Sequence, residues 1–96
     1  MICWVLYDVK SDRIRNKVAK SCLNVGLNRV QYSVFLGTIT PNEKETLVEI
    51  FLDLIDEETD SVYVFPMSKD ELKETDLLGQ AFDKKRVTDE ISAMFI

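Results

Sequence analysis

Residues 1–8, MICWVLYD, constrain the fold more than any other stretch. Every position before Asp8 is apolar or aromatic, so a strand built from them has no face left for water. Such a strand belongs in the middle of a sheet, covered on both sides. The 96-residue chain is expected to form one domain over 1–96 with a modest core, a size at which oligomerisation contributes to stability. The run ends on one acid, Asp8, and basic side chains follow at Lys10, Arg13, Arg15, Lys17 and Lys20. Whether Asp8 serves the next helix or does chemistry is the question that the rest of the sequence must answer.

The other elements follow from periodicity. Ser11 or Asp12 can cap a helix running to Val25, with Gly26 placed to end it. Ile14, Val18, Cys22 and Val25 form its buried stripe, and Arg13, Lys17, Lys20 and Asn24 form a second, polar one. Arg15 falls in neither stripe and projects from the margin of the apolar one. Residues 28–39, NRVQYSVFLGTI, are β-branched and aromatic and read as strand. Thr40, Pro41 and Glu43 then make a capping box with proline in the first turn, where its missing N–H costs nothing. Leu47, Ile50, Phe51, Leu54 and Ile55 share the face behind it. Residues 61–65, SVYVF, form a last strand closed by Pro66, and residues 68–76 a loop or short helix before an apolar tail.

This order predicts a small α+β sandwich with two helices on one face of a sheet. The second face is then bare, although the strands carry Trp4, Leu6, Tyr32, Phe35, Tyr63 and Phe65 besides aliphatics. An uncovered apolar face calls for a partner, and a two-fold homodimer is the commonest one.

Composition removes whole classes of chemistry. Histidine is absent, which excludes Ser-His and Cys-His catalysis, histidine general bases and most zinc or haem sites. Cys3 and Cys22 occupy apolar positions without metal or redox spacing and read as buried free thiols in a reducing cytosol. At 46% apolar and 30% charged residues the chain resembles an ordinary soluble globular protein. No apolar run approaches the roughly 20 residues that cross a bilayer, and residues 1–8 lack the basic start and cleavage site of a signal peptide. Carboxylates, arginines, hydroxyls and a hard metal ion remain. Residues 8–31 hold six basic and two acidic side chains, a local +4 within a net charge of −5. Screening limits the reach of a charge to about 8 Å at physiological salt. A local basic surface can therefore hold phosphates on an acidic protein, although a solvated helix face explains the segregation as well.

The ordered set YDVKSDRIRNKV, GLNRVQYSVFLG and SVYVFPM resembles the CRISPR-associated protein two family, the small dimeric partner of the CRISPR integrase. The resemblance covers nearly the whole chain and implies a ferredoxin-like βαββαβ fold with an extra C-terminal strand, from about residue 77, that reaches the dimer partner. It also splits residues 28–40 into two antiparallel strands with a reversal near 31–33. The implied function is spacer acquisition, with duplex DNA bound alongside the integrase, and a metal-dependent endonuclease activity on RNA or DNA. By position, the family's strand-ending acid falls on Asp8 and its helix arginine on Arg15. Its basic residue before the second strand is Arg29, and its motif serine and phenylalanine are Ser33 and Phe35. Lys17 stands where some members carry arginine, which keeps the charge but loses the bidentate fork.

Phosphodiester hydrolysis without histidine is usually metal work, and Mg2+ or Mn2+ takes hard oxygen ligands. The resulting expectation is an ion on the dimer axis, held by Asp8 and its symmetry mate, with Arg15 or Arg29 offsetting phosphate charge. Lys10, Arg13, Arg15, Lys17, Lys20 and Arg29 are the candidate nucleic-acid contacts. The competing account of Asp8 is an acid favoured by a helix N-terminus, by about 0.3–1 kcal/mol. Ser33 reads as a turn hydroxyl, and Tyr32 and Phe35 as core or interface in preference to base-stacking platforms. Lys84, Lys85 and Arg86 read equally as phosphate contacts or a solvated tail. A non-catalytic adaptor bridging integrase dimers and an unrelated ferredoxin-like sensor are the alternative functions.

Overall fold

A computed structural model describes residues 1–79, so the expected C-terminal strand and the Lys84–Arg86 cluster lie outside the described residues. The elements are β1 (Ile2–Asp8), α1 (Asp12–Asn24), β2 (Asn28–Gln31), β3 (Val34–Thr38), α2 (Pro41–Leu54), β4 (Ser61–Met67) and α3 (Lys69–Glu74). They build one antiparallel sheet in the order β2-β3-β1-β4. The apolar first stretch is indeed interior, paired with β3 on one side and β4 on the other. This is the ferredoxin-like βαββαβ arrangement.

Caps define the helices. The Ser11 hydroxyl accepts the Ile14 N–H and starts α1. The helix ends in a Schellman motif, with Leu27 N–H donating to Cys22 O at 3.1 Å and Gly26 N–H to Leu23 O at 3.0 Å. Gly26 has φ +95°, a region that β-carbon sterics make costly for other residues. Both arms of the expected Thr40–Glu43 capping box are present at the start of α2. A second box, Ser68–Glu71, starts α3 in the stretch read as loop or short helix.

Two strand boundaries differ from periodicity alone. Residues 28–39 hold two strands, β2 and β3, with Gln31 opposite Val34 and an irregularity between Arg29 and Gln31. Strand β4 runs through Pro66, which lies opposite Cys3, and ends at Met67. It is an edge strand, where a residue without an N–H can stay in the ladder.

Alternation along β1 feeds two cores. Cys3, Val5 and Tyr7 join Val18, Ala19, Cys22, Phe35, Leu47 and Phe51 beneath α1 and α2. Ile2 and Trp4 join Val30, Leu36 and Leu72 on the opposite face. Two expectations are corrected here. Phe35 lies in the helix-side core and not on the second face. The second face is only partly bare, because Leu72 of α3 covers one end of it and Met67 and Leu77 pack alongside. Trp4 Nε1 donates to Met67 Sδ at 3.1 Å in that smaller core. The uncovered remainder centres on Tyr63 and Phe65, 56% and 46% exposed, whose rings stack with centroids 6.1 Å apart.

Candidate active site at the end of the first strand

Asp8 is the last residue of β1, opposite Ser61. By alternation it shares a face with Ile2, Trp4 and Leu6, the face turned away from α1 and α2. Its carboxylate is 75% exposed, and both oxygens lie 3.4 Å from Lys10 Nζ. An ion pair this exposed contributes about 0–1 kcal/mol and leaves the carboxylate free to exchange partners. Asp8 precedes α1 by four residues, and Ser11 caps that helix, so the capping role that competed for Asp8 is filled by another side chain.

The loop carrying Lys10 is held from two directions. Asp60 Oδ1 accepts the Lys10 N–H at 3.0 Å, and Asp60 Oδ2 accepts the Asp56 N–H at the same distance. These backbone donors, that of Lys10 foremost, hold the Asp60 carboxyl below the usual carboxylate range. Arg15 acts from the helix. Its Nη1 donates to Val9 O at 2.9 Å, its Nη2 pairs with Asp12, and its buried Nε has no hydrogen-bond partner. The margin position of Arg15 thus brings the guanidinium back onto the end of β1. Asp60 was absent from the sequence reading, because nothing in its neighbours signals a partner 50 positions away.

The β2–β3 turn arrives at the same end of the sheet. Tyr7 N–H donates to Ser33 O at 3.1 Å, and Tyr7 Oη donates to Tyr32 O at 3.4 Å. Burial raises the Tyr7 pKa against the opposing effect of nearby Arg29. The Arg29 guanidinium carbon lies 5.1 Å from the Phe35 ring centre and 5.7 Å from that of Tyr32. Asp8 and Lys10 are therefore brought together. Arg29 and Phe35 gather with Tyr7 on the helix side of the sheet, across from the face that Asp8 shares. Phe35 is fully buried there, and Ser33 meets Tyr7 only through its backbone carbonyl.

The remaining basic candidates are elsewhere. Arg13, Lys17 and Lys20 are exposed on α1, across the sheet from the face that Asp8 shares. Thiol chemistry has no place in the site, since burial raises Cys3 and pushes Cys22 up to about 12. Among the described residues no group of three potential metal ligands forms within one chain, and no helix is long and apolar enough to cross a membrane.

Comparison with known proteins places this geometry. The family model for CRISPR associated protein Cas2 matches residues 1–75. The CRISPR-associated endoribonuclease Cas2 2 of Chloroflexus aurantiacus is 32% identical, over 86% of this chain and 98% of its own. The CRISPR-associated endoribonuclease Cas2 of Pyrococcus furiosus is 42% identical, over 74% of this chain and 81% of its own. The crystal structure of Streptococcus pyogenes Cas2 superposes with a TM-score of 0.71 at 33% identity, covering 82% of this chain and all of that one. An exposed acid ending an interior strand, on a ferredoxin-like sheet matched in sequence and in shape, marks this chain as a member of the CRISPR-associated Cas2 family.

Proposed function

We propose that the chain is a divalent-metal-dependent endonuclease of CRISPR adaptation, cutting phosphodiesters through Asp8 of two protomers. The observation that carries this reading is the placement of Asp8, a freely exposed carboxylate on the half-covered face of the sheet. The relatives' names as endoribonucleases support RNA as a substrate. A two-fold dimer formed over Tyr63 and Phe65 covers the open part of that face and brings a second Asp8 toward the first.

The donor chemistry fits Mg2+ or Mn2+, because the exposed Asp8 oxygens are hard ligands and no competing thiolate or imidazole is near. One chain supplies one carboxylate, so Asp8 of both copies would be needed to hold the ion. When bound, it lowers the pKa of a water and offsets the added charge on the scissile phosphate. The chain's own residues do the rest. Asp8 supplies oxygens, Lys10 beside it offsets phosphate charge, and Asp60 and Arg15 hold the loop that follows Asp8. The two buried thiols fit a cytoplasmic protein.

A second reading rests on a separate observation. The exposed Arg13, Lys17 and Lys20 on α1 form a phosphate-binding stripe on the layer away from Asp8. This arrangement supports an adaptor that binds duplex DNA beside the integrase whether or not the site cuts. Such binding weakens steeply with salt and depends little on sequence.

Purified protein with Mg2+ or Mn2+, assayed on RNA and duplex DNA beside Asp8→Asn, tests the main reading. Cleavage that disappears in the variant and on chelation supports it. Undiminished cleavage by Asp8→Asn overturns it.

A further inference from the structure

The ammonium of Lys10 stands evenly against the candidate carboxylate, with Nζ 3.4 Å from each Asp8 oxygen. This is the charge that a hard cation also seeks, so the two compete for the same oxygens. The main chain of Lys10 is tied on both sides. Its N–H donates to Asp60 Oδ1 at 3.0 Å, and its carbonyl accepts from Arg15 Nη1 at 3.5 Å. Neither tie uses the side chain, so the loop does not require a lysine at this position. The ties keep the root of the side chain two residues from Asp8, while the side chain itself, 65% exposed, can swing through solvent. An ion pair this exposed is weak enough to be exchanged.

We propose that Lys10 is a resident counter-ion of the site, which occupies Asp8 until it is exchanged for a divalent cation and then turns to the substrate phosphate. The inference rests on the nuclease reading given above. It also couples the two ligands. A phosphate that draws the ammonium off Asp8 opens the carboxylate to the cation, and by linkage a bound cation frees the ammonium for phosphate. Lys10 is thus a positioning residue that sets how readily the site takes metal without nucleic acid.

The test is Mn2+ binding to the full chain as a dimer, without nucleic acid and at low salt, read from the electron spin resonance of free Mn2+. Lys10→Met is expected to tighten binding about 2- to 25-fold, up to about 5-fold for each of two ion pairs. Lys10→Arg keeps the charge and is expected to stay close to wild type. Lys44→Met removes a charge at the other end of the sheet, where α2 follows the strand paired with Ile2, and is expected to change nothing. Unchanged or weaker binding in Lys10→Met, or an equal gain in Lys44→Met, overturns the counter-ion and leaves the metal site standing. Absence of Mn2+ binding in every form, or binding that persists in Asp8→Asn, overturns the nuclease reading and the counter-ion with it.

Discussion

The two faces of the sheet are finished to different degrees. Under α1 and α2, Cys3, Val5, Phe35 and Leu47 are fully buried, and the chain completes that core from its own residues. On the other face Trp4, Ile2 and Leu36 are closed over by Leu72, while Tyr63 and Phe65 remain open. The candidate carboxylate ends the strand on the unfinished side. The difference teaches that the chain closes one face from its own residues, while the proposed dimer contact and the proposed Asp8 site both fall on the other.

The most damaging way to probe that contrast is on the closed face. Phe35→Ala is expected to cost about 3–5 kcal/mol in denaturant unfolding, because it empties a fully enclosed volume beside Tyr7. The thiols report the same face, and Cys22, pushed up to about 12 by burial, is expected to resist alkylation until the protein unfolds. A change below 1 kcal/mol would break the comparison. Arg15→Met is next. It leaves Val9 O without its donor and is expected to cost about 1–3 kcal/mol, with nuclease activity falling along with order in the loop beside Asp8. On the open face, Tyr63→Ala and Phe65→Ala are expected to change protomer stability by only about 0.5 kcal/mol. The same variants should shift the monomer–dimer balance in sedimentation toward monomer.

The smallest effect concerns pH. The Asp60 carboxyl lies below its usual range in the folded protein, so its contribution is present above the unfolded carboxylate pKa and fades as pH falls through the folded value. Asp60→Asn should flatten the acid limb of the stability–pH curve, as followed by circular dichroism at several pH values. An unchanged limb would remove Asp60 from the set of residues holding the Lys10 loop.

How far the sequence was legible depended on whether a feature was local. The interior strand followed from unbroken apolarity, and both long helices followed from caps and stripes within a few residues of each other. The reversal between β2 and β3 carried no Gly, Asn, Asp or Pro at its tip, so propensity read residues 28–39 as continuous, and only the family resemblance divided them. The cover over Trp4 depends on Leu72, far away in the chain, and periodicity in so short a helix is weak. In the site, Asp8 was legible from the apolar run it ends, whereas its ion pair with Lys10 was not. The tether from Asp60 and the return of Arg15 onto Val9 arise only when the loops meet, so they were not.

The central claim is that Asp8 is half of a site completed by a second copy. Dimers assembled from mixtures of wild-type and Asp8→Asn chains test it directly, with metal-dependent cleavage measured against the wild-type fraction. If both carboxylates are required, activity falls as the square of that fraction, because mixed dimers are inactive. A linear fall, with mixed dimers half as active as wild type, would show that each Asp8 works alone and would contradict the account.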